Sequence, residues 1–118
     1  MRKAFDECAV FMTVCGGIDT ARQAGVLEGK TATGPRLGLD MWRRQSPGTN
    51  WVEKRWVRDG KLWTSGALLN GTDMMAAFAK ETWIDSAGGD EGSLVGMMTK
   101  IAAWPARDVD YKDVAWAL

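Results

Sequence analysis

The stretch Cys8-Ala9-Val10-Phe11-Met12-Thr13-Val14 is a short apolar run cut off at Cys15-Gly16-Gly17. It lacks the apolar–polar alternation of a half-solvated strand and so predicts a strand buried on both faces, the kind found in parallel sheets covered by helices. The next segments fit that setting. Ile18 to Ala24 predicts a short helix stopped by Gly25, and Lys30-Thr31-Ala32-Thr33 a second strand after the Glu28-Gly29 turn. Arg36 to Gln45 predicts a helix that carries Leu37, Met41 and Trp42 toward one side and closes at Ser46-Pro47-Gly48. Met1 to Glu7 reads as the end of a helix.

Trp51 to Val57 and Lys61 to Ser65 are rich in Trp, Val and Thr and flank Arg58-Asp59-Gly60. Asp-Gly between such runs predicts a hairpin in which both turn residues take positive φ. Thr72 is expected to cap a helix from about Asp73 to Trp83, with Met74, Met75, Phe78 and Ala79 on its apolar face. After an Ala87–Asp90 loop, Glu91 to Trp104 predicts a further helix, stopped by Pro105, and Val109 to Leu118 is an ambiguous tail. Strands alternating with helices imply an α/β fold with a mostly parallel sheet. The β material is scant for a complete doubly wound domain. The 118 residues are therefore expected to be one domain, the C-terminal portion of a larger α/β unit that lacks its N-terminal strands and helices. A compact minimal fold, or one completed by a partner chain, is the alternative.

Fifteen basic residues balance fifteen acidic ones, which argues against nucleic acid as a partner. No apolar run approaches the roughly 20 residues that span a bilayer, and no signal-peptide core follows Met1, so a soluble cytoplasmic protein is expected. The chain has no histidine and two cysteines, so it contains no Ser-His-Asp triad, no Cys-His dyad and no four-sulfur zinc site. No cofactor and no metal is expected. The sequon Asn70-Gly71-Thr72 reads as a loop.

The chemistry-bearing segment is Thr13-Val14-Cys15-Gly16-Gly17. A strand that ends in a nucleophile between small residues and turns at once into a helix follows the logic of the nucleophile elbow, written here with cysteine. Cys15 would be the nucleophile and the Gly16 and Gly17 amides the oxyanion donors. The same amides would favour a thiolate, while Asp19, an acid in the first helical turn, would oppose it. A buried structural cysteine followed by a glycine turn explains the same residues equally well. Cys8, without flanking glycines, reads as structural.

Two blocks carry a family resemblance. Val14-Cys15-Gly16-Gly17 with Ala24-Gly25-Val26-Leu27-Glu28-Gly29-Lys30-Thr31-Ala32-Thr33 is similar to the nucleophile region of the ThiJ/PfpI family, a strand ending in Cys, a helix, then "aGLLdGkrAT". Arg55-Trp56-Val57-Arg58-Asp59-Gly60-Lys61-Leu62-Trp63-Thr64-Ser65-Gly66, followed by Gly71-Thr72-Asp73, resembles its "RWVrDGniwTSaG…giD" segment. The resemblance spans roughly Val10 to Trp83. It implies a flavodoxin-like three-layer sandwich, a homodimer, and Cys15 as the reactive cysteine of a hydratase, hydrolase or lyase acting on a small electrophilic substrate. The "RWVRDG" block is most similar to the isonitrile-hydratase branch. The sequence departs from the family in three places. The position after the "AT" strand, often His, reads Thr33-Gly34-Pro35-Arg36; the residue after the cysteine, often Thr in isonitrile hydratases, is Gly16; and the family's acidic partner belongs to its N-terminal half. A truncated, non-catalytic stress-response or redox-responsive module that acts by association is the alternative function.

Trp51, Trp56 and Trp63 are expected in the core rather than on a ligand platform. The basic pairs Arg43-Arg44 and Lys54-Arg55 are expected on a solvated helix face and a strand edge. Met74-Met75 and Met97-Met98 read as core filling. Gly71-Thr72-Asp73 at a helix start reads as capping rather than anion binding.

Overall fold

The computed structural model describes residues 1–83 and 107–112. The expected loop at 87–90, the helix at 91–104 and the tail beyond Lys112 lie outside the described residues.

Helix α1 (Arg2–Glu7) leads into β1 (Phe11–Thr13), and α2 (Gly17–Gln23) comes next. The stop of α2 is a Schellman motif. Gly25 stands at φ +80, its N–H donates to Arg22 O (3.1 Å) and the Val26 N–H to Ala21 O (3.4 Å), which satisfies carbonyls the helix end leaves open. Gly29 at φ +74 turns the chain into β2 (Thr31–Ala32). A 3₁₀ turn at Arg36–Gly38 precedes α3 (Leu39–Gln45), and β3 (Asn50–Trp51) pairs with β2. The hairpin β4 (Trp56–Asp59) and β5 (Leu62–Ser65) leads to α4 (Asn70–Trp83).

The first sheet has the order β1-β5-β4. Phe11 to Thr13 run parallel to Leu62 to Thr64, and β4 is antiparallel to β5. The second sheet is the parallel pair β2-β3, with Thr31 opposite Asn50. Among the described residues two of the three pairings are therefore parallel, as expected of an α/β fold. Side chains rather than a ladder join the sheets: the Thr31 N–H donates to Asp59 Oδ2 (2.7 Å) and the Thr33 N–H to the buried Thr64 Oγ1 (2.9 Å). Ile18, Ala21, Leu27, Ala32, Leu39, Trp42, Trp51 and Leu62 form the core. No helix among the described residues is long and apolar enough to cross a membrane.

The structure corrects several expectations. β1 lies at the edge of the described sheet with β5 as its neighbour, and Val10 and Val14 are each 38% exposed, so the run is not buried on both faces. The stretch from Trp51 to Val57 divides between the two sheets, because the Arg55 N–H turns away to Val109 O (2.7 Å). The hairpin turn is Gly60-Lys61 with Gly60 alone at positive φ (+62), while Asp59 ends the strand and accepts from Thr31. In the Arg36–Gln45 segment Leu39 and Trp42 are buried and Leu37 and Met41 face outward, because the 3₁₀ start shifts the helical phase. α4 starts at Asn70, whose Oδ1 accepts from the Ala67 N–H (2.9 Å), so Thr72 lies inside the helix and the sequon is not a loop. Met74 is buried while Met75 is exposed. Trp42, Trp51, Trp56 and Trp63 are mainly core, in two stacked pairs: Trp42 with Trp51 (5.6 Å) and the half-buried Trp56 with the buried Trp63 (5.7 Å).

Candidate functional site

Cys15 stands two residues beyond the end of β1, at φ +53. Side chains with a Cβ rarely adopt that conformation, at a cost of about 1–2 kcal/mol, so the surroundings must enforce it. They do so from both sides. Behind the cysteine, Val14 packs onto the start of α4: a Cβ added at Gly71 would lie 3.2 Å from Val14 Cγ1 and Cγ2. Ahead of it, the Gly17 N–H donates to Val14 O (3.0 Å), the Ile18 N–H to Cys15 O (3.4 Å) and the Asp19 N–H to Gly16 O (3.0 Å). The fully buried Ile18 anchors this turn in the core. The result is a strand, a strained cysteine and a helix in immediate succession.

The thiol is half-buried and makes no hydrogen bond among the described residues. A Cβ added at Gly16 or Gly17 would meet nothing within 4 Å, and Gly16 has φ −65, so neither glycine is needed to fit the turn. The strain rests on Cys15 itself. Open space lies beside both backbones, but the Gly17 N–H is already engaged with Val14 O. Asp19 does not stand as a bare acid. Arg22 Nε (2.8 Å), Trp42 Nε1 (3.1 Å) and Gln23 Nε2 (2.8 Å) donate to it, and Arg22 foremost holds its carboxyl below the ordinary value. Cys8 is separate in role: its thiol donates to Phe5 O (3.3 Å) in the last turn of α1.

A second constellation went unread in the sequence. Residues 107–112 cross the start of β4 and the start of α4 as a strap. Arg55, expected on a solvated edge, is buried there; its Nη1 donates to Asp108 O (2.6 Å), and Lys54 pairs with Asp110 (2.8 Å). Arg107 reaches the buried Asp73 through Nε (3.0 Å) and Nη2 (2.6 Å). Tyr111, at φ +63, lies under the guanidinium groups of Arg36 (4.5 Å) and Arg55 (5.0 Å). Its hydroxyl is 3.3 Å from both Lys54 O and Asn70 Oδ1. Burial, outweighing the two cations, raises its pKa. A cavity of about 450 Å³ opens between these arginines and Leu37, Leu68 and Leu69, and Cys15 does not line it. Its parts are scattered from position 35 to 111, so no local motif marks it.

Comparison with known proteins places this geometry. No curated protein matches. Among solved structures, a cysteine-to-alanine variant of a DJ-1 superfamily protein from Salmonella typhimurium is similar, with a TM-score of 0.61 and 17% identity over 82% of this chain. The chain spans about half (48%) of that structure, which shares its flavodoxin-like α/β fold. The profile of the DJ-1/PfpI family matches residues 1–81. The segment carrying the strand, the strained cysteine, the hairpin and most of α4 thus lies within that match, and the chain belongs to the DJ-1/PfpI family.

Proposed function

We propose that this chain is a single DJ-1/PfpI domain in which Cys15 is the nucleophile toward small electrophilic molecules, with isonitriles as the first substrate class. The observation that carries the reading is Cys15 at φ +53 between the end of a parallel strand and a helix. A strained side chain held half-exposed at the carboxyl end of a strand is what nucleophilic attack requires, since α/β sheets bind ligands there. The Cys15 sulfur would add to the isonitrile carbon, and a proton on that carbon completes a thioimidate. Water then adds to the same carbon and expels the thiol, leaving an N-substituted formamide. The Gly16 N–H is the main backbone donor for the developing negative charge, and the Gly17 N–H contributes as it loosens from Val14 O. The proposal includes a homodimer in the cytoplasm, with no nucleic acid, membrane, metal or cofactor needed.

The absence of histidine favours a second reading, a non-catalytic module that acts by association. One experiment separates the two. Iodoacetamide labelling at neutral pH, read by peptide mass spectrometry, is expected to modify Cys15 faster than Cys8. Turnover of methyl and cyclohexyl isonitrile, with methylglyoxal as a second class, is expected to vanish in Cys15→Ala. Equal labelling and no Cys15-dependent turnover, with a dimer in sedimentation, would establish the second reading instead.

A further inference from the structure

Arg36, Arg55 and Arg107 all line the cavity beside the 107–112 strap, and Tyr111 and Asn70 share its wall. Clustered guanidinium groups recognise carboxylates through paired, charge-assisted hydrogen bonds. Part of the lining is apolar and exposed: Leu37, Leu68 and Leu69 are 76%, 72% and 64% exposed. Exposed leucines lining a basic cavity are a place for an aliphatic tail. The volume of about 450 Å³ fits a small molecule rather than a peptide.

The charge already present shows how an anion would enter. Arg36 Nε (3.0 Å) and Nη2 (2.7 Å) both meet the same oxygen of Glu53, Oε1. Glu53 is half exposed (51%) while the Arg36 side chain is only 11% exposed. The carboxylate is thus the loosely held member of the pair, and an exposed partner is cheap to exchange. Arg107 behaves differently, since its partner Asp73 is 5% exposed and held by both Nε and Nη2. Arg36 and Arg55 both lie against the ring of Tyr111, at 4.5 Å and 5.0 Å from its centre, and the Tyr111 backbone is strained at φ +63.

We propose that this cavity binds a small aliphatic monocarboxylate, its head on Arg36 in competition with Glu53 for that guanidinium and its tail lying on Leu37, Leu68 and Leu69. The site is independent of the Cys15 chemistry, because no residue from Cys15 to Gly17 lines the cavity.

Tyr111 is the single tyrosine of the chain, so ring-¹³C tyrosine gives one signal at the cavity wall. Titrating the full chain with hexanoate at fixed ionic strength should move that signal saturably, and hexanol at equal concentration should not. Arg36→Gln should weaken binding by about tenfold or more, as loss of a charge-assisted pair does. Glu53→Gln should tighten it severalfold, a gain that a merely structural Glu53 would not give. If Arg36→Gln alters the fold by circular dichroism, Leu68→Asp on the exposed rim replaces it, again with a loss of about tenfold or more. No saturable shift, an equal shift with hexanol, weaker binding in Glu53→Gln, or unchanged binding in Leu68→Asp would each overturn the proposal.

Discussion

Replacing Gly34 by alanine tests how the region beside the elbow is packed. A Cβ at position 34 would lie 2.7 Å from Trp42 Cζ3, 3.0 Å from Ile18 Cγ2 and 3.3 Å from Trp42 Cε3. Carbon atoms in ordinary contact are about 3.5–4.0 Å apart, so the indole would have to retreat by roughly 1 Å. It has little freedom to do so. The ring is buried, its Nε1 donates to Asp19 Oδ1 (3.1 Å), and it stacks on Trp51 at 5.6 Å. Overpacking of this kind costs about 1–3 kcal/mol. The smaller entropy of the unfolded alanine chain returns about 0.4–1 kcal/mol, since Gly34 is not at positive φ. The expected net loss is about 1–2 kcal/mol, read from the midpoint of urea unfolding at constant slope. In a Trp42→Phe background, which removes the far edge of the indole, the cost of Gly34→Ala should fall to the share left by the 3.0 Å approach to Ile18 Cγ2. The double-mutant cycle should then give a coupling of about 1–2 kcal/mol. A cost under about 0.5 kcal/mol for Gly34→Ala with no coupling to Trp42 would refute the packing argument. Position 34 lies within the Thr33–Arg36 stretch that follows the second strand, and Trp42 fills the space a side chain at position 34 would enter.

Other perturbations have equally definite outcomes. Asp73→Ala leaves Arg107 without its buried, doubly bonded carboxylate and should cost about 3–5 kcal/mol in urea unfolding, whereas Asp40→Ala, whose pair with Arg43 is exposed, should cost no more than about 1 kcal/mol. Gly60→Val forces a β-branched residue to φ +62 in the hairpin turn and should destabilise by about 1–2 kcal/mol or more, while Lys61→Val, at ordinary φ, should not show that strain. The folded pKa of Asp19 lies below its ordinary 3.8, so the carboxylate contributes stability above that pH and loses it as pH falls through the folded value. Asp19→Asn should therefore flatten the acid limb of the stability profile below about pH 4, and an unchanged limb would count against the Arg22 pairing.

Much of the candidate site could be read in the chain because its signals are local. Gly25 and Gly29 mark positive-φ stops wherever the chain packs, and the small residues around Cys15 predicted the abrupt turn from strand to helix. What those residues could not reveal is where the strain would fall. Gly16 sits at φ −65 and Cys15 takes the unfavourable conformation, because Ile18 and Val14 anchor the two ends of the turn in the core and against α4.

The sequence by itself determined the succession of strands, helices and hairpin, through periodicity and turn chemistry that act over a few residues. It also determined the exclusion of every histidine-based mechanism within this chain. Only the tertiary structure decided that β1 stands at the edge of the described sheet, that Trp51 and Trp56 belong to different sheets, and that Arg36, Arg55, Arg107 and Tyr111 meet around one cavity. Those outcomes depend on contacts between residues far apart in the chain, such as Arg55 with Asp108 and Asp73 with Arg107. A charged side chain carries no local mark of its distant partner, so burial of Arg55 becomes favourable only once the fold has brought that partner to it.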